Sequence, residues 1–118
     1  MMRANGVTVI DGLLDIEQRQ HELDWQYFRP GIESYTLFEG QESPSKVMLL
    51  RYQPGASAPA HIHQGVEYIF VLSGSQTDAQ GRHEVGSLVI HPKDTEHHVY
   101  SEEGCIVLAI WEQSVRFI

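Results

Sequence analysis

The sequence predicts an all-β fold, a small antiparallel β-barrel or sandwich, and three observations carry that reading. Short runs rich in aromatic and β-branched residues recur at 25–28, 32–39, 47–53, 66–72, 82–85, 87–91, 97–101 and 105–112. Glycine or proline clusters separate most of them, the punctuation of strands joined by tight turns. Little of the chain reads as helix, and many short strands with Gly and Pro turns close into barrels or stack as sandwiches. In chain order, residues 1–24 are the least regular: a short strand is expected at 7–11, followed by a polar, helical or coiled passage around 15–23. The strands from residue 25 onward follow, with a hairpin at Asp78-Ala-Gln-Gly81 and a turn at Glu102-Glu-Gly104 near the end.

At 118 residues with 42% apolar content, the chain is sized for one real core, so a single domain over 1–118 is expected, an N-terminal arm at 1–24 and a barrel at 25–118. Eight Lys and Arg against sixteen Asp and Glu give a formal charge of −8, and the basic residues are scattered. That balance repels phosphate backbones and anionic lipid, so neither nucleic acid nor membrane is an expected partner. Cys105 is the sole cysteine, which excludes an internal disulfide, and no apolar run reaches spanning length. With no apolar leader at the first residues, a cytoplasmic, reducing location is expected.

The chemistry is concentrated in two stretches. In Gly55-Ala-Ser-Ala-Pro-Ala-His-Ile-His-Gln-Gly-Val-Glu67, His61 and His63 stand one residue apart, so on a strand they project from one face. A turn at Gln64-Gly65 is expected to return Glu67 on the neighbouring strand of a hairpin, aiming all three side chains at one point. In Gly86-Ser-Leu-Val-Ile-His-Pro-Lys-Asp-Thr-Glu-His97, a strand enters a proline turn and His97 opens the next strand as a fourth ligand. Three imidazoles and a carboxylate suit one divalent ion of Fe, Mn, Ni, Cu or Zn.

These stretches resemble the cupin superfamily. The first matches its pattern G-x5-H-x-H-x3-E-x6-G at every fixed position, Gly55, His61, His63, Glu67 and Gly74. The second follows G-x5-P-x-G-x2-H-x3-N at Gly86, Pro92 and His97, with Asp94 in place of glycine and Ser101 in place of asparagine. The motifs at 55–74 and 86–101 span roughly half the chain. The resemblance implies an antiparallel barrel of the double-stranded β-helix, jelly-roll-like type with the metal inside, held by His61, His63, Glu67 and His97. Within the superfamily, His61 to Gly74, Thr77-Asp78-Ala-Gln-Gly81, Pro92, His97 and Gly104-Cys105 are similar to the ChrR-type group. In that group the anti-sigma activity resides in a separate N-terminal helical domain with a His and Cys zinc site, so it does not carry over to these residues.

Three His and one Glu leave two adjacent positions on a six-coordinate ion, enough for a bidentate diketone or for a substrate oxygen beside O2. On that reading Glu67 partly neutralises the ion and accepts a substrate proton, while Ile69 and Val71 line the barrel around a small organic ligand. The function expected first is therefore a small metal-dependent enzyme, dioxygenase-like. A ChrR-like module sensing a small molecule or oxidant is the second reading, and a structural metal barrel serving protein interaction the third. His91, beside Pro92, reads either as a pocket acid, base or orienting partner, or as a partly exposed strand-end residue. His98 should point away from the metal, and His21 and His83 read as surface residues. Cys105 is expected to be a buried, inert thiol, and Trp25, Tyr27, Tyr35, Tyr52 and Trp111 core or substrate-stacking aromatics. Both faces of Glu67-Tyr-Ile-Phe-Val-Leu are apolar apart from Glu67, so the face carrying Tyr68, Phe70 and Leu72 needs cover. A second subunit, making a homodimer, is favoured over the chain's own N-terminal strands.

Overall fold

The chain alternates apolar residues along most of its strands and so must bury one face or both. The computed structural model describes residues 2–4, 6–113 and 115–117. A first hairpin, β1 (Met2–Ala4) and β2 (Val7–Val9), leads into a short helix α1 (Ile16–Arg19) flanked by 3-10 turns at Leu13–Asp15 and Gln20–Glu22. The remaining strands are β3 (Gln26–Arg29), β4 (Ile32–Glu39), β5 (Lys46–Tyr52), β6 (Ser57–His63), β7 (Glu67–Asp78), β8 (Gly81–Glu84), β9 (Leu88–His91), β10 (Glu96–Tyr100), β11 (Cys105–Trp111) and β12 (Val115–Phe117). They form a curled antiparallel half-barrel in the order β12-β6-β10-β7-β11-β5-β4-β3, with β8 and β9 also on β7. The all-β expectation holds.

β7 is the hinge of this architecture. Its first half pairs with β11 and β9, its second half with β8 and with β10 at Tyr100↔Thr77. One twelve-residue strand thus carries the chain from one wall to the other. Inside the barrel lie Ile32, Met48, Leu50, Ile69, Val71, Val107 and Ala109, and each fully buried side chain of valine size or larger contributes roughly 1.5–3 kcal/mol. Opposite Ile106 and Val107 the register slips, leaving Leu72 as the extra residue of a bulge. Gly74 follows at φ +72°, and a Cβ there would collide with the Gly104 carbonyl oxygen, so only glycine lets β11 approach.

The parity expected for β7 is observed, since Glu67, Ile69 and Val71 face the interior and Phe70 and Leu72 face out. Cover for the outer face comes partly from this chain, and it is helical rather than the strands considered above. Ile16 of α1 joins Leu37, Leu49, Leu72 and Ile106 in a second cluster, with Ile10, Leu13, Leu23 and Trp25 packed against it. Trp25 Nε1 donates to the Gln20 carbonyl at 2.8 Å, and Arg51 stacks over its ring. Among the described residues no helix is long and apolar enough to cross a membrane.

One local expectation is overturned. β6 and β7 do not pair as a hairpin, because β6 takes β10 and β12 as its neighbours and the start of β7 takes β11 and β9. The turn after His63 is a corner between the two walls. Facing walls bring the side chains together just as adjacent strands would, so the convergence survives although the pairing does not.

Candidate metal centre

Each residue of the centre is placed by a register far from it in sequence. His61 and His63 share the inner face of β6, His97 of β10 lies directly opposite His61, and Glu67 opens β7 between His91 of β9 and Trp111 of β11. His61, His63, Glu67 and His97 bring their ligand atoms within 4.8 Å of one another, a group that could hold a metal ion. His61 and Glu67 are buried, and His63 is 0% exposed. The His61 and His97 ring centroids lie 4.4 Å apart, and those of His63 and His97 4.7 Å.

Backbone carbonyls dictate which imidazole nitrogen carries the proton. His61 Nδ1 lies 2.9 Å from the Pro59 carbonyl, which can only accept, so Nδ1 is protonated and Nε2 bears the lone pair. The same logic holds for His63, whose Nδ1–H donates to the Thr95 carbonyl at 3.1 Å and to Thr95 Oγ1 at 3.0 Å. Thr95 Oγ1 is free to accept because its own proton goes to the Pro92 carbonyl at 2.6 Å. His63 Nε2 then faces Glu67 Oε1 at 2.9 Å. Two electron-rich atoms at that distance require a proton or a metal ion between them. The turn that supplies Thr95 contains Asp94 at φ +68°, where the motif has glycine, and aspartate is among the few residues that tolerate this conformation.

Glu67 is held as an anion. Burial alone would raise its carboxyl, but His63, His91 and Trp111 outweigh it and keep the group far below the usual carboxylate range. Trp111 donates Nε1–H to Glu67 Oε2, and His91 Nδ1 lies 3.1 Å from Oε1. Trp111 and His91 are thus parts of the centre that sequence reasoning left open among the core aromatics and strand-end residues. The side chain of His91 is 12% exposed, and its ring sits 3.9 Å from that of His97 between centroids. His98 is exposed, as expected; His98→Ala should change neither metal content nor thermal stability, and a fall in either by elemental analysis or calorimetry would contradict its placement. His83 is not a plain surface residue, since its Nε2 donates to Asp78 at 2.9 Å. Cys105 is buried, and burial pushes its thiol up to about 11, which suits an inert side chain.

Burial also pushes the His61 and His97 imidazoles down, His97 to about 3. An unfolded histidine titrates near its ordinary value of about 6.5, so between those values the unfolded chain binds more protons than the folded one. The stability held by neutral His97 is therefore present above about 6.5 and lost as pH falls toward about 3. Chelator-treated protein should show a falling Tm over that window, with a shallower fall in His97→Gln; equal slopes would refute the assignment.

Two spaces meet at His97. An inner cavity of about 30 Å³, walled by Phe28, Tyr52, Ile69, Val99 and Trp111, has room for about one water molecule. An open groove of about 590 Å³ runs outside it past Asp78, Ile90, His91, His97 and Tyr100. Of the other aromatics, Trp25 and Tyr35 meet edge to face in the outer cluster and Tyr27 is exposed.

A curled antiparallel barrel with a buried cluster of His and Glu at one end defines a cupin. The ChrR cupin-like domain model matches residues 15–114, and the chain belongs to that family. Among solved structures it is similar to the anti-sigma factor ChrR of Rhodobacter sphaeroides, crystallised in complex with SigE: identity is 28% over 81% of this chain, with a TM-score of 0.72. The aligned region spans about half of the ChrR chain, 53%. A putative acetylacetone dioxygenase from Methylibium petroleiphilum PM1 has a TM-score of 0.78 at 15% identity, covering 100% of this chain and 85% of its own. An acetylacetone dioxygenase from Acinetobacter johnsonii has a TM-score of 0.76 at 16% identity, covering 100% and 80%. At those identities the likeness is one of fold. No curated protein matches by sequence.

Proposed function

We propose that this protein is a small metal-dependent cupin enzyme of dioxygenase-like type, acting on a small organic metabolite. In this reading His61, His63, Glu67 and His97 hold one divalent ion of Fe, Mn, Ni, Cu or Zn. The observation that carries it is the meeting of His63 Nε2 and Glu67 Oε1 at 2.9 Å, with His63 Nδ1 committed to Thr95. When bound, the ion supplies a Lewis acid and, if redox-active, an electron conduit for oxygen chemistry. The protein's own groups supply the rest. Glu67 neutralises part of the ion's charge and accepts a substrate proton, with Trp111 steadying its second oxygen and His91 beside the first. The inner cavity admits a group the size of water or O2, so the organic body of the substrate lies in the groove past His91 and His97. A small dicarbonyl suits that division, and of two proteins of the same fold one is named an acetylacetone dioxygenase and the other a putative one.

Oxygen uptake tests this. Protein loaded with each first-row metal and offered diketones, thiols and phenols should consume oxygen with at least one pairing, and His63→Ala protein should not. The 28% identity to ChrR favours one second reading, a sensing module that binds a small molecule without turnover. Ligand-induced rises in Tm with no oxygen uptake would support that reading instead. We also place the protein in the reducing cytoplasm, which suits its single buried thiol, and infer a homodimer. Leu88 and Ile90 on β9 are more than half exposed and pair with Phe70 and Tyr68 of β7, and a second copy offers the same strip. Ile90→Glu should then shift a sedimenting dimer to monomer.

A further inference from the structure

Asp78, His91 and His97 form a second group whose ligand atoms lie within 4.8 Å of one another, and of the four inner ligands it includes only His97. Asp78 ends β7 at the hairpin into β8, and its side chain is 3% exposed. Its Oδ1 accepts from the Gln80 backbone N–H at 2.8 Å and from His83 Nε2 at 2.9 Å. Those two donors fix the carboxylate's orientation and leave Oδ2 facing His91 Nε2 at 3.8 Å. That gap is too long for a hydrogen bond. It is one that a metal ion can span while holding each atom at about 2.1 Å. On the third side, His97 Nδ1 is buried without a hydrogen-bond partner among the described residues, whereas the Nδ1 atoms of His61 and His63 are both occupied by backbone carbonyls.

We infer that Asp78, His91 and His97 form a second divalent-cation site, at the mouth of the outer groove, with His97 bridging the two ions as an imidazolate whose Nδ1 proton is released to solvent as the second ion binds. Two imidazoles and one carboxylate are a donor set that leaves further positions open, and here those positions face the groove of about 590 Å³. His83 orients the carboxylate as an outer partner orients a metal ligand. The site has fewer donors and more solvent than the inner centre, so it is the weaker of the two. It goes beyond the proposed activity, and only Asp78 and His83 belong to it without touching the inner centre.

Zinc titration of the metal-loaded protein, followed by calorimetry and equilibrium dialysis, tests the inference. The expected result is a second, weaker equivalent that disappears in Asp78→Asn while the first is retained, and that persists in the His98→Ala control. A wild-type protein saturating at a single equivalent, or an Asp78→Asn protein that keeps the second, would overturn it. Loss of both equivalents in Asp78→Asn would also overturn it, since the sites would not be distinct. Crystals of the wild-type protein soaked in zinc and measured at the zinc edge give a check that needs no variant: a peak among Asp78, His91 and His97 is expected, and its absence beside an occupied inner centre refutes the site. A second equivalent that depends on Asp78 in a protein lacking the first would sink the inner assignment and leave this one standing.

Discussion

His63→Ala should abolish stoichiometric metal binding and, in chelator-treated protein, cost about 3–5 kcal/mol of stability. The ring is fully buried and joins Thr95 on one side to Glu67 on the other. Truncation leaves the Glu67 carboxylate, itself 4% exposed, without its closest cationic or metal-bearing partner. An uncompensated buried charge is far more costly than a lost contact. Urea unfolding followed by fluorescence gives the stability change, and elemental analysis the metal. Full metal occupancy in the variant would overturn the ligand assignment, and an unchanged unfolding midpoint would contradict the account of Glu67.

Trp111→Phe should weaken metal binding about 10–100-fold without abolishing it, the usual consequence of losing a group that orients a ligand. Phenylalanine keeps an aromatic ring beside Phe28, whose centroid lies 6.3 Å from that of Trp111, and removes the N–H that Glu67 Oε2 accepts. Loss of that charge-assisted hydrogen bond should cost about 1.5–3 kcal/mol of stability. Competition against a chromophoric chelator separates the outcomes. Unchanged affinity would mean that the histidines alone fix Glu67; complete loss would mean that Trp111 shapes the site itself.

Much of this was legible in the residues, and the failures share a cause. β4 was expected at 32–39 and is observed at Ile32–Glu39, because its pattern is local and a glycine bounds it on each side. The convergence of His61, His63, Glu67 and His97 followed from spacing and motif. The pairing of the strands that carry them did not, since β6 chooses β10 and β12 over its sequence neighbour β7. That choice depends on the bend of β7 from one wall to the other, which no window of a few residues encodes. The same non-local register hid Trp111 and His91. Each sits directly opposite Glu67 on another strand, and only that placement distinguishes a hydrogen-bonding indole from a core aromatic, or an inward imidazole from a strand end. Asp94 could be read as a departure from the motif, but its left-handed backbone shows that aspartate performs the glycine's conformational task.

The most direct test of the central claim is the metal-to-chain ratio of untagged protein purified without chelators, measured for all first-row metals after exhaustive dialysis. The account predicts about one tightly held equivalent per chain, lost in His63→Ala and kept in His98→Ala. A stably folded wild-type protein that retains no metal and takes up none when offered it would contradict the account.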